Sequence, residues 1–536
     1  MGSAHLDPFA RDNLPPRSLW PEFLFDLPEL QFPSQLNCAA VLLDRQVAAG
    51  HGDRPCIRAP GLTWSYSDLL AQSNRIAHVL VQDMALQPGN RVLLRAANNP
   101  MLAACWFAVM KAGGIAVATM PLLRAKELTD VIRKAQVSHA LCDACLGDEL
   151  RRAAPACPTL AVIRYFNDGV GTGVEALAAT KPATFANVET AADDTCIIAF
   201  TSGTTGQPKG TMHFHRDVVA ICECWPRHTL RASADDVFIG SPPLAFTFGL
   251  GGLLLFPLHV GASTVLLEKP APEVLLPAIA EFGATVCFTA PTSYRAMAPQ
   301  VLHHDLSSLR KCVSAGEALP AATRALWKQA SGIELIDGIG TTEMLHIFIS
   351  ADEAHSRAGA TGKAVPGYIA CVLDDERRPL PPGQVGRLAV KGPTGCRYLA
   401  DERQKQYISD GWNVTGDAYL IDADGYFVFQ ARTDDMIITA GYNIAGPEVE
   451  ATLLAHPAVA ECGVVGLADE ERGQVVAAFV VLRDGYAAGD ALARELQDFV
   501  KQSIAPYKYP RRVVFRASLP RTETGKLQRF RLSQEI

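Results

Sequence analysis

The sequence predicts an α/β protein of more than one domain, and three observations lead to this. The chain has 536 residues, more than one hydrophobic core usually supports, so two or more domains are expected. Between about residues 56 and 330, short apolar segments alternate with helix-like segments, which favours layered α/β subdomains with mostly parallel sheets. From about 365 to 433 the strands are short and turns are frequent, which indicates a small β-barrel or meander. The tail, about 435–536, is long enough for a small α+β domain.

The individual elements follow from apolar periodicity. Residues 1–40 are proline-rich and predict irregular structure, followed by an amphipathic helix over 38–49. Helices are predicted over 69–81, 100–112, 125–134, 447–455 and 491–503. Strands are predicted over 91–95, 116–119, 139–142, 264–267, 285–289, 459–465 and 475–483. No internal repeat is found, so a repeat architecture is not expected.

Composition and charge exclude several classes of function. The chain is 49% hydrophobic and 20% charged, which is ordinary for a globular protein. A net charge of −7 without a basic block argues against a nucleic-acid partner. No apolar run is long enough to span a bilayer, and the N-terminus lacks the pattern of a secretion signal. We therefore expect a cytoplasmic protein without a membrane partner, either a monomer or a homodimer.

Cysteine is frequent but does not predict a metal or redox motif. Among the 14 cysteines, Cys142 and Cys145 have CxxC spacing, but a second pair is missing and Cys157 stands alone. Buried free thiols in a cytosolic enzyme are the favoured interpretation.

The run TSGTTGQPKG, from Thr201 to Gly210, is the strongest candidate site in the chain. It follows an apolar segment typical of a buried strand, and it combines four hydroxyls, three glycines and one lysine. Glycines permit close backbone approach, while hydroxyls and Lys209 add donors and positive charge. The spacing differs from a Walker A loop. The run therefore predicts a polyphosphate-binding loop of another type, in preference to a solvated linker.

The run DGIGTTE, from Asp337 to Glu343, is a second candidate site. Gly338 and Gly340 permit a tight turn close to a ligand, and the Glu343 carboxylate is a hard oxygen donor of the kind that recruits Mg²⁺ to phosphates. A strand-ending turn with a surface glutamate is an equally weighted alternative from these residues alone.

Two further motifs carry little weight by composition. In Thr415-Gly416-Asp417 an aspartate in a turn can accept hydrogen bonds from vicinal ribose hydroxyls, and Arg432 can support a sugar or a phosphate. The run PRTETGK, ending at Lys526, is by itself only a polar turn.

Together the four motifs resemble the adenylate-forming superfamily, which includes acyl- and aryl-CoA ligases, peptide-synthetase adenylation domains and luciferases. They occur in the family order and cover essentially the whole chain. The resemblance implies a large N-terminal domain over 1–433 and a mobile C-terminal domain over 434–536, with the hinge at Asp434. It implies CoA contacts at Gly441 and Tyr442, the magnesium ligand Glu343, and the catalytic residues Lys526, Glu343 and Thr342. The implied ATP-binding residues are Thr201, Ser202, Gly203, Thr204, Thr205, Lys209, Gly316, Glu317, Asp337, Gly338, Ile339, Thr342, Asp417 and Arg432.

The resemblance implies a two-step reaction that uses ATP, Mg²⁺ and coenzyme A. A carboxylate attacks the α-phosphate, pyrophosphate leaves, and a thiol then attacks the acyl adenylate after the small domain rotates. Such a protein mainly positions reactants and neutralises charge. Ile339 stands where the family usually has an aromatic residue, so stacking on adenine is expected to be weaker.

The expected acid is aromatic. Segments around Phe246 and His346 resemble benzoate-type CoA ligases, and the N-terminal stretch resembles the 2-aminobenzoate branch more closely. The benzoate pattern usually has a small apolar residue and a tyrosine where this chain has Thr247 and Phe248. The Thr247 hydroxyl is expected to pair with a ring amine or hydroxyl. The implied substrate-binding residues are Phe246, Thr247, Phe248, Gly249, Gly338, Gly340 and His346.

Three alternatives stay open. The aromatic residues can be core residues only. The acceptor can be a carrier-protein thiol, as in a stand-alone adenylation enzyme. An oxygen-dependent luciferase-like activity is a more remote alternative, and the ring substituents of the acid are not fixed by the sequence.

Overall fold

The computed structural model describes residues 2–201, 208–432, 435–439, 442–469, 473–504, 506–521 and 527–534. No helix among these residues is long and apolar enough to cross a membrane.

The strands of the described residues form four β-sheets. They are β1 (Pro55–Ala59), β2 (Leu62–Ser65), β3 (Arg91–Arg95), β4 (Ile115–Thr119), β5 (His139–Asp143), β6 (Val162–Phe166), β7 (Thr195–Thr201), β8 (Lys209–Phe214), β9 (Val237–Gly240), β10 (Ser263–Val265), β11 (Val286–Thr289), β12 (Lys311–Ser314), β13 (Leu335–Gly340), β14 (Ile347–Ser350), β15 (Lys363–Ala364), β16 (Ile369–Leu373), β17 (Gly386–Lys391), β18 (Ile408–Ser409), β19 (Trp412–Ile421), β20 (Phe427–Arg432), β21 (Met436–Thr439), β22 (Tyr442–Ala445), β23 (Val459–Asp469), β24 (Gly473–Leu482) and β25 (Arg512–Phe515).

Helices connect the strands. They are α1 (Phe9–Asp12), α2 (Tyr66–His78), α3 (Pro100–Lys111), α4 (Ala125–Ala135), α5 (Gly147–Ala153), α6 (Val174–Ala179), α7 (His215–Glu223), α8 (Thr247–Leu250), α9 (Phe256–Val260), α10 (Pro272–Phe282), α11 (Pro291–Met297), α12 (Ala321–Ser331), α13 (Gln404–Tyr407), α14 (Gly446–Leu454), α15 (Asp490–Ser503) and α16 (Arg529–Gln534). A further helical segment extends over 38–51.

Two large sheets form the layered part of the chain. The first has six strands in the order β6-β5-β3-β4-β7-β8, parallel except for the final β7–β8 pair. The second has nine strands in the order β15-β14-β13-β12-β11-β9-β10-β1-β2, and its central strands are parallel. This layered arrangement confirms the α/β class expected from the alternating segments.

Helix α3 lies in the main hydrophobic core. Every residue of this helix is buried, and its apolar residues pack in one cluster with strand residues from both large sheets, such as Leu94 and Phe238. A helix that is apolar on all sides requires burial on all sides, and a position between two sheets provides it. Asn99 caps its first turn by accepting the Leu102 N–H at 3.0 Å.

The segment with frequent turns forms a five-stranded antiparallel half-barrel. Its strand order is β16-β17-β19-β18, with β20 paired to β19. The C-terminal residues form a separate sheet, β22-β21-β24-β23 with β25 parallel to β24, and the sheet encloses its own core with α14 and α15. The half-barrel lies where the sequence predicted a small β-barrel or meander, and the C-terminal sheet agrees with the predicted small α+β part. The 433/434 boundary remains a prediction.

The predicted elements recur with small shifts at their ends. Strand β3 coincides with the prediction over 91–95. Helix α2 begins at Tyr66, three residues before the predicted start, because Ser65 and Asp68 form a reciprocal capping box. Strand β10 ends at Val265, two residues before the predicted end.

Candidate active site

The carboxyl ends of several parallel strands bring the predicted segments to one edge of the nine-stranded sheet. Register pairs Phe288 with Gly240 and Ser314 with Asp337, so β9, β11, β12 and β13 end side by side. The predicted acid-binding segment follows β9, Gly316 and Glu317 follow β12, and DGIG forms the end of β13. This edge is where ligands bind in open α/β sheets.

Close packing explains both glycines of the second motif. A Cβ on Gly338 would lie 2.9 Å from Ile347 Cδ1, and a Cβ on Gly340 would lie 2.7 Å from the His346 carbonyl oxygen. Both neighbours belong to the chain that turns back into β14, antiparallel to β13. The glycines therefore let the two strands approach each other, while Ile339 is only partly buried at the ligand edge.

Glu343 lies in the turn between β13 and β14 and contacts Tyr398. The Tyr398 hydroxyl donates to Glu343 Oε1 at 2.5 Å. Burial and the charge of Glu343 raise the pKa of Tyr398, so the phenol stays protonated and remains a donor. Motif spacing did not reveal Tyr398, which lies 55 residues away along the chain.

Lys209 lies on the other side of the same tyrosine. Its ammonium is 5.4 Å from the centre of the Tyr398 ring, a cation–π contact. Lys209 begins β8 and pairs with Thr201 at the end of β7, so the predicted phosphate loop joins two antiparallel strands. A bridge between Thr211 and Tyr398 holds the tyrosine against this pair of strands. The structure thereby brings the first and second predicted motifs together through Tyr398.

Thr342 is held through its carbonyl oxygen by a histidine. His213 Nε2 lies 2.8 Å from Thr342 O, so this nitrogen carries the proton and donates it. Behind His213, the fully buried Asp217 and Arg397 form an ion pair. These residues fix the backbone of the turn that carries Glu343, and the sequence motifs gave no sign of them.

Asp417 and Arg432 face each other on the half-barrel. They are register partners across β19 and β20, and Arg432 Nη1 donates to Asp417 Oδ1 at 3.3 Å. Asp417 is buried, whereas the Arg432 side chain is 47% exposed. The pairing leaves the guanidinium accessible to a ligand while it supports the carboxylate.

His346 lies among aromatic rings together with Phe248. The centroid of the His346 ring lies 5.8 Å from the ring centroid of Phe248, 5.8 Å from that of Trp225 and 4.5 Å from that of Phe256. Burial lowers the pKa of His346 from 6.5 to about 3, so the imidazole is neutral at physiological pH. A Cβ on Gly251 would lie 2.4 Å from His346 Cδ2, so this glycine leaves room for the ring.

Phe246 and Thr247 line an apolar pocket. Its other walls come from α3, β4, β7 and the chain around α8, namely Trp106, Ala116, Ala118, Ile197, Ile198, Ala199, Leu244, Ala245 and Leu250. The residues predicted to bind the acid thus form two groups, Phe248 with His346 and Phe246 with Thr247. Gly249 packs tightly against the backbone of Pro243, since a Cβ there would lie 2.1 Å from Pro243 O.

Asp337, Gly316 and Glu317, which are predicted to bind ATP, lie at the same edge of the sheet. Asp337 is buried, and burial raises its pKa from 3.8 to about 7 although Arg324 opposes the shift. Gly316 has a φ of +88°, which favours glycine. Glu317 Oε1 lies 3.7 Å from Arg521 Nη1, an ion pair between the nine-stranded sheet and the C-terminal part.

Several predicted residues lie outside the described part of the chain: Ser202, Gly203, Thr204, Thr205, Asp434, Gly441 and Lys526. Tyr442 begins β22.

The residues around Glu343 fit a magnesium ion. Tyr398 bonds one carboxylate oxygen, Oε1, while the half-buried carboxylate keeps a second hard oxygen. Mg²⁺ is usually held by one or two carboxylates together with substrate phosphates. The phosphates of ATP, bound by the predicted loop that begins at Thr201, would supply the other ligands of the ion.

Comparison with known proteins identifies the family of the chain. The sequence profile of the AMP-binding enzyme family matches residues 43–398, and that of the AMP-binding enzyme C-terminal domain matches 448–526. A benzoate–CoA ligase from Thauera aromatica is 35% identical over 519 residues, covering 94% of this chain and 97% of its own. A crystal structure of the anthranilate CoA ligase AuaEII in complex with anthranoyl-AMP superposes with a TM-score of 0.89 at 33% identity, covering 95% of this chain and 98% of that one.

A further crystal structure, of a benzoate CoA ligase from Burkholderia xenovorans, superposes with a TM-score of 0.84 at 30% identity and covers 93% of this chain and all of its own. The profile matches, the extent of these similarities and the motifs assembled at the sheet edge lead to one conclusion: the chain belongs to the AMP-binding enzyme family, within the adenylate-forming acyl- and aryl-CoA ligases.

Proposed function

We propose that this acid–thiol ligase activates an aromatic carboxylic acid with ATP and transfers the aryl group to coenzyme A. The observation that carries the proposal is the turn between β13 and β14. This turn carries Glu343 and, three residues later, His346. A hydrogen bond from Tyr398 orients the Glu343 carboxylate toward the proposed metal ion, and the neutral His346 imidazole packs among aromatic rings. One turn therefore serves the phosphates on one side and an apolar acid on the other.

In the first step, a carboxylate oxygen of the acid attacks the α-phosphorus of ATP, and the bond to pyrophosphate breaks. A Mg²⁺ ion held by Glu343 and the phosphates would neutralise part of their charge. Lys209 assists the departing β- and γ-phosphates, and Lys526 stabilises charge at the α-phosphate. Asp417 and Arg432 orient the ribose. Positioning and charge neutralisation carry the step, without a covalent enzyme intermediate.

In the second step, the thiol sulfur of coenzyme A attacks the carbonyl carbon of the aryl adenylate, and AMP leaves. Gly441 and Tyr442 face the thiol after rotation of the C-terminal domain about Asp434. The C-terminal sheet, α14 and α15 enclose a hydrophobic core of their own, which supports a domain that can rotate as a separate body.

An aromatic acid is favoured by the walls near His346. A neutral, buried imidazole next to Phe248 offers a flat apolar surface rather than a charged one. Similarity to benzoate and anthranilate CoA ligases supports the same class of acid. Within it we propose 2-aminobenzoate, because Thr247 adds one hydroxyl to an otherwise apolar lining that can pair with the ring amine.

An ATP–pyrophosphate exchange panel of aryl and short alkyl acids, followed by detection of the CoA thioester, tests the general proposal. We expect exchange with benzoate-type acids and formation of aryl-CoA. Exchange without aryl-CoA, together with loading of a carrier-protein phosphopantetheine, would identify the carrier-protein enzyme instead. Exchange confined to alkyl acids would contradict the aromatic pocket.

Substrate discrimination tests the role of Thr247. We expect a higher kcat/KM for 2-aminobenzoate than for benzoate, and we expect Thr247→Ala to reduce that ratio by about tenfold, the value of one hydrogen bond. Thr129→Ala, on α4, is the matched control and should leave the ratio unchanged. A wild-type preference for benzoate would refute the assignment of 2-aminobenzoate. The proposed aryl-CoA ligase activity would still stand.

A further inference from the structure

A cluster of two cysteines and one histidine lies outside the site described above. Cys38 begins the helical segment 38–51, Cys196 is the second residue of β7, and His215 is the first residue of α7. All three side chains are fully buried. One donor atom from each residue lies within 4.8 Å of the other two, and among the described residues only this group brings three such donors together.

Hydrogen bonds define the protonation state of the histidine. His215 Nδ1 accepts the Cys38 backbone N–H at 3.2 Å and also lies 3.2 Å from Cys38 Sγ. An accepting Nδ1 bears no proton, so the proton of the neutral ring is on Nε2. An unprotonated ring nitrogen is the form in which imidazole binds a metal, and Nδ1 would exchange its hydrogen bond from the Cys38 N–H for the ion.

The separations suit a small soft cation. Zinc binds thiolate sulfur at about 2.3 Å and imidazole nitrogen at about 2.0–2.1 Å, so donors around it lie roughly 3.5–3.8 Å apart. A separation of 3.2 Å, with the others at or below 4.8 Å, requires shifts of about 1 Å or less per donor.

Charge balance favours a divalent ion. Two thiolates, one neutral imidazole and Zn²⁺ form a neutral complex, which a buried site tolerates far better than a net charge. The nearby ionic side chains, Asp217 and Arg397, neutralise each other in their own ion pair. Sulfur and nitrogen donors also select Zn²⁺ over Mg²⁺ or Ca²⁺, which prefer oxygen.

We propose that Cys38, Cys196 and His215 bind one Zn²⁺ ion, with a water molecule in the remaining coordination position. The ion would connect the helical segment 38–51 to both strands of the antiparallel β7–β8 pair, since His215 directly follows β8. Because Cys196 is five residues before Thr201, the bound ion would also stiffen the strand that leads into the phosphate loop.

Metal titration of the reduced full-length protein tests the proposal. We expect one equivalent of Zn²⁺ to bind, and Co²⁺ at the same site to produce a thiolate-to-cobalt charge-transfer band. Cys38→Ala, Cys196→Ala and His215→Ala should each weaken Zn²⁺ affinity by at least about 100-fold, more than loss of an outer-sphere partner costs. Zinc should also raise the Tm of the wild type by mass action.

The matched control is the pair Cys287 and Cys312. These thiols are fully buried and are register partners on β11 and β12, so they supply two sulfurs without belonging to the cluster. The double variant Cys287→Ala/Cys312→Ala should retain one equivalent of Zn²⁺ and the cobalt band.

Anomalous scattering at the zinc edge from wild-type crystals keeps the proposal testable if the variants fail to fold. A peak between Cys38, Cys196 and His215 would support it. A peak elsewhere, binding unaffected by the three substitutions, or no binding at all would overturn it. A disulfide between Cys38 and Cys196 in the isolated protein, detected by mass before and after reduction, would overturn it as well.

Discussion

Tyr398 is the residue that joins the two strongest sequence motifs. Its hydroxyl holds Glu343 Oε1, and its ring lies beneath the Lys209 ammonium. A carboxylate fixed by one short hydrogen bond presents its other oxygen in a defined direction. Tyr398 is thus a positioning residue for the proposed magnesium site and does not itself need to contact the reacting atoms.

Removal of this hydroxyl tests the positioning role. We expect Tyr398→Phe to lower kcat/KM for MgATP in pyrophosphate exchange by about tenfold, because a buried hydrogen bond to a charged group contributes about 1.5–3 kcal/mol. The Mg²⁺ concentration needed for half-maximal rate should rise as well. Tyr486→Phe, at an exposed tyrosine of the C-terminal part, is the control. An unchanged Mg²⁺ requirement would contradict the role.

The free energy of unfolding should depend on pH because of the buried Asp337 carboxyl group. Burial raises its pKa from 3.8 to about 7, so the folded state keeps this proton between pH 4 and 7 while the unfolded state releases it. The contribution of Asp337 to stability is therefore fully present below pH 4 and is lost as the pH rises toward 7. The total loss is on the order of 4 kcal/mol.

Asp337→Asn should remove this dependence. Relative to the wild type, the variant should gain Tm progressively from pH 4 to pH 8, as measured by scanning calorimetry. Asp12→Asn, at an exposed aspartate, should show no such trend. A difference in Tm between Asp337→Asn and the wild type that stays constant across this range would show that Asp337 is already ionised at low pH.

At the scale of elements, glycine spacing determines how closely the site segments pack. Gly340 lets β13 approach the turn that carries Glu343, and Gly251 lets the chain after α8 approach His346. In each case the neighbouring atoms are too close for a Cβ, so the glycine is required by packing and not by its own backbone angle. These contacts couple the two halves of the proposed site.

Gly251→Ala tests this coupling. The added Cβ would meet His346 Cδ2 at 2.4 Å and displace the ring. We expect KM for the aryl acid to rise several-fold, about 1–2 kcal/mol of overpacking, with little change in KM for ATP. Gly489→Ala, where the added Cβ has open space around it, is the matched control. An equal rise in both KM values would indicate general unfolding of the site.

At the scale of the molecule, the C-terminal part contacts the nine-stranded sheet near Glu317, at the edge that carries the predicted site. Arg521 joins Glu317 from the larger part and Glu461 from its own sheet. Arg521 belongs to the same run as Lys526, five residues earlier. This contact holds Arg521, a member of that run, against the larger part, which supports the proposed adenylating role of Lys526.

Lys526→Ala tests the division of labour between the two half-reactions. Adenylate formation should fall by about 100-fold or more, because one preorganised charge at the α-phosphate is lost. Thioester formation from synthetic aryl-AMP should be largely retained. Lys405→Ala, at an exposed lysine of the larger part, is the control. Equal losses in both half-reactions would refute the proposed role of Lys526.

The sequence alone determined the class of the fold and the chemistry of the motifs. Apolar alternation and local capping act over a few neighbouring residues, so β3, α3 and α14 could be predicted from their own segments. The phosphate-loop composition and the Glu343 carboxylate likewise depend on residue type and local spacing. The early start of α2 follows from the capping box of Ser65 and Asp68, which is also a local feature.

Only the tertiary structure decided which distant side chains complete the site. Tyr398, His213 and Gly251 come from three separate segments, and they meet Glu343, Thr342 and His346 through register and packing. The cluster of Cys38, Cys196 and His215 arises in the same way. Contacts between residues far apart in the chain depend on how parallel strands align at one edge, and short-range patterns in the sequence do not contain that alignment.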